Sequence, residues 1–539
     1  MRTKDYSRRG FSSLMATIFV ALFAVVSISF TAITNINVQM SKNHRDIKTA
    51  HAAAESGLEF AAYLVSSYEP PTEAYSAYNT VSETEALETF GYFADHVDDV
   101  LAGSPILSGE GILWDTGNRQ LRIPASGAVQ LSANSSAGFS LLFQFIAGDE
   151  DNPNRIVVTS SGGNDQIQRS VGLSYPIQKD SKVIEYAIAS RGRMWITGDS
   201  TIEGDIYSGW DRTDISPFNM TPDSRINGTI NTILSLEDIQ DEGAFQMETL
   251  DEDGNPMFDE NGDRIYSPED EIQGYHEGIN YDAPDMEMPG MDISDYNTDM
   301  YLDMVETTIP TSSVHQTEYF PHVAGDYTQP SSYSSRQLNR NVYDGQTFTN
   351  AKVANNSNAL FKNCTFEEVL YIDCSKSTSS YYNNVRFENC TFNGIIVTDT
   401  PDRLKWQNNA LYFTGTATFE NEFMEEATIL APHFNVNLGN TNPQGGDTNV
   451  LTGAIIGGIV DIRGNAEIYG TVLSMCDTTM WSSGYVSNIG ATLGDGGSET
   501  TEPGDVGTIH ITPNPDNLLP SGMVTPIVIN MDGNSYIEY

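Results

Sequence analysis

Phe361-Lys362-Asn363-Cys364-Thr365-Phe366 and Phe387-Glu388-Asn389-Cys390-Thr391-Phe392 are almost the same hexapeptide, 26 residues apart. A near-repeat at a fixed interval in the twenties marks a chain that winds in coils, each stacking on the next to bury its apolar side. The reading is a mainly-β, right-handed parallel β-helix, with equivalent residues of successive coils piled into ladders of Phe, Cys and Asn. Cys364 and Cys390 are then inward ladder positions. A β-sandwich is the competing architecture, but it gives no reason for one hexapeptide to return at one coil's distance.

Similar texture extends in both directions. Toward the C-terminus it runs through Ala417–Phe419, Ala427–Leu430, Gly453–Ile462 and Ala466–Leu473, and toward the N-terminus through Glu185–Ala189, Met194–Asp199 and Thr201–Ser208. These are short β-rich runs punctuated by Gly-Asp and Asn-Gly, with no helical period between them. Between the early and late coils, residues 237–306 carry 23 acidic side chains and one arginine, nearly half of the chain's net charge of −46. This block reads as a surface excursion, with Asp253-Gly254 and Asn261-Gly262 as hairpin turns. Asp251, Asp253, Asp259 and Asp263 are candidate Ca²⁺ ligands, since clustered carboxylates suit a hard cation. Their spacing is not that of an EF-hand, because Pro256 stands where that loop needs glycine, and the plain hairpin is preferred.

The other end of the chain is different. Leu14 to Thr34 is 21 residues without a charge, Gly or Pro, enough at about 1.5 Å each to cross a hydrocarbon core of roughly 30 Å. Arg2, Lys4, Arg8 and Arg9 against Asp5 alone put the N-terminus in the cytoplasm and export the rest. A cleaved signal peptide is the bland alternative, but its apolar region is shorter and ends at a small-residue site. Here a helical pattern continues through His51-Ala52-Ala53-Ala54-Glu55-Ser56-Gly57-Leu58-Glu59 until Pro70-Pro71 stops it, so Phe11 to Ser67 reads as one rod. Beyond it come a helix over Val81–Leu101, strands at Gly111–Trp114, Leu121–Ile123 and Phe139–Ala147, and a hairpin joining Arg155–Gly163 to Gln168–Ser174. That is a small α+β head.

The basic leader ending in Gly10, the Phe11 that follows, the long apolar helix and the Ala-Ala-Glu-Ser-Gly-Leu-Glu segment together resemble type IV pilin-like proteins, in particular PilX-type minor pilins. The hairpin looks like the one that closes a pilin-like head, and the coils at 453–473 resemble those of bactofilin-like and other β-solenoid proteins. The pilin resemblance implies a prepilin peptidase that cuts after Gly10, N-methylation of Phe11, and packing with other pilin-like subunits through the helix within membrane lipid. One departure stands out: the glutamate usual at the fifth mature position is Met15 here.

Composition narrows the function. A balance of 73 acidic to 27 basic residues opposes nucleic-acid binding, and four cysteines in 539 residues do not make a disulfide scaffold. Enzyme motifs are weak. Gly198-Asp199-Ser200 is similar to the nucleophile block of one esterase family but lacks that family's Asp-x-x-His, so a coil corner is the better reading. His315, Glu318 and His322 lack zinc-site spacing, and no metal or other cofactor is expected. Arg386, Arg403, Lys405 and Arg463 are the cations a carbohydrate-cleaving β-helix would need.

The expected organisation is a leader at 1–10, a transmembrane and pilin-like helix at 11–67, the head at 68–180, first coils at 181–236, the acidic insertion at 237–340, and coils with a C-terminal cap at 341–539. The expected function is that of a non-enzymatic minor subunit of a type IV pilus or related secretion system, at the tip or in initiation. The alternatives are a membrane-tethered surface β-helix that binds or cleaves polysaccharide, and a static anchored wall protein left unprocessed at Gly10.

Overall fold

A computed structural model of the chain describes residues 7–104, 107, 111–132, 136–149, 152–164, 167–180, 182–213, 217–237, 272, 274–283, 290–317, 339–375, 383–400, 409–415, 417–419, 427–438, 448–463, 465–475, 486–491, 508–514 and 519–539. They divide into two compact units, one of residues 1–74, 81–178 and 527–539, the other of residues 75–80 and 179–526.

The first unit is built on helix α1, Ser7–Ser66. Its second half carries small residues at helical spacing, and Ala50, Ala53, Ala54, Ala61 and Leu64 are fully buried against the strands Gly138–Ile146 and Arg155–Gly163. The approach is close enough to require glycine on both sides. A Cβ on Gly162 would run into the backbone of Ala50 and Ala54, and one on Gly57 into Ser160 and Phe139. Helix α2, Glu83–Gly103, starts at a capping box in which Ser82 and Glu85 satisfy each other's backbone N–H. It buries Phe90, Phe93 and Val97. The strands Leu113–Asp115, Gln120–Ile123, Gly138–Ile146, Arg155–Gly163 and Gln168–Lys179 follow in antiparallel order, and the expected hairpin pairs Arg155 with Pro176 through Gly163 with Gln168.

This sheet is completed from the far end of the sequence. Thr525–Ile529 lies beside Gln168–Lys179, and Asp532–Glu538 pairs antiparallel with that strand through Glu538–Val171. The expected coil-and-cap region at 341–539 therefore ends at 526. The coiled unit is an insertion between two strands of the head, a placement that requires its own two ends to lie together. They do: Asp180 N donates to Pro526 O at 2.9 Å, and Lys179 Nζ to Met523 O at 2.6 Å.

Inside the second unit, strands stack in parallel register along three ladders. One runs Asn339–Asp344, Ala359–Lys362, Asn383–Glu388, Asn409–Thr414 and on through the second halves of Ala427–Leu438 and Ala454–Arg463 to Val486–Ala491, Arg193–Ile196 and Phe218–Met220. The order is not that of the sequence. Ile188–Ser190, the first coil strand, lies between Ile206–Ser208 and Val472–Ser474. The chain thus enters mid-stack, winds outward through Thr229–Thr232 to Gly278–Asn280, resumes beyond the other end at Thr307–Thr308, and winds back to meet its own beginning.

Where it is described, the segment that makes this return packs on the stack rather than standing off in solvent as its acidity suggested. Gly278–Asn280 is itself a ladder strand, and Met291, Tyr296 and Tyr301 are buried with Leu519 and Met523 over the outer side of a second ladder, against Tyr371, Val397, Leu430, Ile456 and Leu473. That ladder is covered on both sides. Its strands accordingly read as continuous apolar runs rather than alternating ones; Ala427–Leu438 is buried at all of its positions. The turn dipeptides Asp253-Gly254 and Asn261-Gly262 lie outside the described residues.

At the hexapeptides the coils stack as the repeat implied. Tyr343, Phe361, Phe387 and Phe413 form one column with ring centroids 4.8, 5.5 and 5.0 Å apart. Phe348, Phe366, Phe392 and Phe419 form a second at 5.5, 5.1 and 4.9 Å. Rings of the two columns meet edge to face, Phe361 on Phe366 at 5.1 Å and Phe387 on Phe392 at 5.1 Å, the geometry aromatic quadrupoles favour. Asn363 and Asn389 sit between the columns at φ 51° and 53°. Asparagine tolerates this left-handed corner, and glycine holds the same place one coil out on either side, at Gly345 and Gly415.

Candidate functional site: the exposed apolar helix

The first half of α1 has the surface of a membrane segment. Among the described residues α1 is the one helix long and apolar enough to cross a bilayer. Leu14, Ile18, Phe19, Leu22, Phe23, Val25, Ile28, Phe30, Ile33 and Ile36 are all exposed, Phe23 by 68%. Apolar side chains face out all round the helix, as in a lipid-facing span and unlike an amphipathic surface helix. Three of its hydroxyls are satisfied by the helix itself. Thr17 Oγ1 donates to Ser13 O at 2.9 Å, Ser29 Oγ to Val25 O at 2.8 Å and Thr31 Oγ1 to Ser27 O at 2.8 Å, which removes the cost of bare donors in hydrocarbon. Polar residues resume at Asn35, Asn37 and Gln39, and charge at Lys42. The arrangement is compatible with a single-pass membrane anchor, and the second half of the same helix is the scaffold for a β sheet. Gly10 and Phe11 fall within the helical span of α1, and Met15 is exposed.

Past the span, His51 Nε2 lies 3.2 Å from Glu538 Oε1 on the last strand, and Nδ1 lies 3.4 Å from Glu55 Oε1. The hydrogen bond with Glu538 raises the imidazole above its ordinary pKa. Sequence reading missed this tie, because nothing in residues 527–539 marks them as belonging to the head.

Of the enzyme candidates, Ser200, His315 and Arg386 are described side chains. Ser200 is fully buried and donates to Thr197 O at 2.7 Å, while Gly198 turns the corner at φ 65°, so the Gly-Asp-Ser block is a coil corner. His315 is an exposed strand residue paired with Asn341, and Glu318 and His322 lie outside the described residues. Arg386 donates to Thr414 Oγ1 at 2.8 Å and pairs with Glu388 at 3.3 Å. Arg403, Lys405 and the calcium candidates Asp251, Asp253, Asp259 and Asp263 also lie outside the described residues.

One buried titratable group has a stability consequence. His433 is 4% exposed, and burial pushes its imidazole down to about 4, against a smaller opposite pull from the Asp399 backbone. Its folded pKa lies below its unfolded one. The neutral form therefore contributes stability in full above about pH 6.5, and that contribution is lost as pH falls toward 4. The expected loss is of the order of 3 kcal/mol. His433→Gln should flatten the melting temperature of the coiled unit between pH 7 and 4.5 relative to wild type; parallel curves for the two proteins would refute the assignment.

No protein-family model matches the chain, and no curated protein matches it. Among solved structures it is similar to the crystal structure of the competence-associated pilin ComZ from Thermus thermophilus, with 12% identity and a TM-score of 0.24 over 91% of this chain and 97% of that one. A likeness that loose carries no weight of its own. What the chain's own residues define is a β-rich protein with one exposed apolar N-terminal helix.

Proposed function

We propose that the chain is a pilin-like minor subunit of a type IV pilus or related secretion system, cut after Gly10 and methylated at Phe11, with its bulk exported. We read the stacked coils as a parallel β-helix displayed by that subunit. The observation that carries the reading is α1. One helix is apolar and exposed where it would meet lipid and sister helices, then alanine-rich where it crosses an antiparallel sheet at Gly57 and Gly162. The role is display and assembly rather than catalysis, and the partners are the prepilin peptidase, membrane lipid and the helices of other subunits.

Met15 is the basis for proposing that the subunit sits at the tip or in an initiating complex. In the resembling families a glutamate at this position pairs, within the membrane, with a neighbour's N-terminal amine, and an unpaired charge there is costly. The first subunit has no neighbour ahead of it, so a methionine carries no penalty, and a bulky inserted domain meets no copy above it. Immunogold labelling of sheared filaments with antibody to the coiled unit should mark one end. Regular decoration along the shaft would overturn the tip assignment, and Met15→Glu is expected to shift label into the shaft.

A further inference from the structure

Cys364 and Cys390 occupy the same place in successive coils. Phe361 pairs with Phe387 and Lys362 with Glu388 on one side of them, and Thr365 with Thr391 on the other. The backbones are tied directly around the pair, Asn363 N donating to Glu388 O and Thr391 N to Cys364 O, both at 2.9 Å. In-register parallel strands stand about 4.8 Å apart, inside the Cα range of roughly 4.4–6.8 Å that a disulfide spans. Both side chains are 1% exposed and point inward from equivalent positions, so their Cβ vectors run side by side. Each thiol donates weakly to the carbonyl of the preceding coil, Cys364 Sγ to Tyr343 O and Cys390 Sγ to Phe361 O, both at 3.5 Å. The two neighbouring thiols act on each other in opposite directions, drawing the Cys364 thiol down to about 7 and pushing the Cys390 thiol up, so Cys364 is the sulfur that ionises first.

We infer that Cys364 and Cys390 form a disulfide that staples two adjacent coils at the Phe columns once the domain has reached an oxidising compartment. The chemistry is thiol–disulfide exchange with a protein or small-molecule disulfide as oxidant. The Cys364 thiolate attacks one donor sulfur and releases the first donor thiol; the Cys390 thiolate then attacks Cys364 Sγ in the mixed disulfide and releases the second. One S–S bond is made for the one broken, and the two cysteine protons end on the two donor thiols. Because both sulfurs are sealed in the folded stack, closure belongs to the folding of these coils, before the neighbouring coil covers them. Cys374 is the internal contrast: it is fully buried and donates to Asp399 O at 3.3 Å, and the residue 26 positions on is Thr400.

The inference rests on the export proposed above, and the test separates the two. Full-length protein from cells quenched in acid is denatured, alkylated without reductant, digested and mapped, while external protease is applied to parallel intact cells. The expected result is a linked peptide pair containing Cys364 and Cys390, with Cys374 alkylated and the coiled unit open to protease. A protease-accessible unit in which both cysteines are alkylated overturns the disulfide and leaves export standing. A unit still protected after any outer membrane is permeabilised overturns export, and the staple with it. Stability supplies a second readout. Reductant should lower the melting midpoint of the coiled unit by about 5 °C in wild type and leave Cys364→Ala unmoved. That variant keeps the packing, since Ala417 precedes Thr418 as Cys390 precedes Thr391 in the next coil and is itself buried. Equal sensitivity to reductant in both proteins would refute the staple.

Discussion

Phe366→Asp is expected to unfold the coiled unit rather than weaken it. Phe366 is 3% exposed. Its ring stacks on Phe348 at 5.5 Å and Phe392 at 5.1 Å, and meets Phe361 and Phe387 edge to face at 5.1 and 5.4 Å. Removing a buried aromatic ring costs about 3–5 kcal/mol through lost contacts and the cavity left behind. A carboxylate in that cavity adds several kcal/mol more, because the two aromatic columns offer it no donor. The sum is comparable with the whole stability of a typical domain, about 5–15 kcal/mol. Phe392→Asp, one coil on, should behave alike. Phe366→Leu fills most of the volume without a charge and should lower the melting temperature only modestly. Circular dichroism melts of the full chain test this, and an Asp variant that melts within two or three degrees of wild type would show that the columns do not hold the stack together.

What made this core legible was repetition. A hexapeptide recurring at one coil's length fixes which residues stack, since in a parallel ladder the partner of Phe361 is whatever lies one coil away. Where the coils begin and end was not legible. Nothing in Ile188-Ala189-Ser190 announces that Val472-Leu473-Ser474 will lie beside it, because a parallel ladder asks only for compatible shape and a free edge. The acidic block misled for a different reason. Its 23 acidic side chains dominate a composition average, which hides the buried Met291, Tyr296 and Tyr301. The tail 527–539 was absorbed into the coils because its apolar alternation suits an edge strand of either unit. In the head, the alanine-rich stretch of α1 was visible, but the reason for Gly57 was not. It lies in Ser160 and Phe139, which come within reach only when the sheet is in place.

Gly10→Val should abolish maturation. Gly10 lies in the first turns of α1, which begins at Ser7, next to the proposed scissile bond to Phe11. A peptidase that cuts here must draw the segment out of the helix and bring its own groups against the Gly10 carbonyl. Glycine favours both steps. It is the poorest helix former after proline, by about 1 kcal/mol relative to alanine, and it has no side chain to meet the enzyme where the backbone must be approached. Valine reverses both effects, and each roughly 1.4 kcal/mol added to the barrier slows the cut tenfold. A β-branched side chain against the reacting carbonyl adds several such increments. The protein is then expected to reach the membrane with residues 1–10 still attached and an unmethylated N-terminus, and to be missing from filaments, because the retained basic leader holds the N-terminal end at the cytoplasmic face. Ser12→Val, on the other side of the bond, leaves the approach to the Gly10 carbonyl open and should be processed normally. Intact-mass and N-terminal peptide measurements on membrane fractions distinguish these outcomes. Finding Phe11 as the first residue of the Gly10→Val protein, in the same proportion as in wild type, would place the processing site elsewhere or remove it altogether.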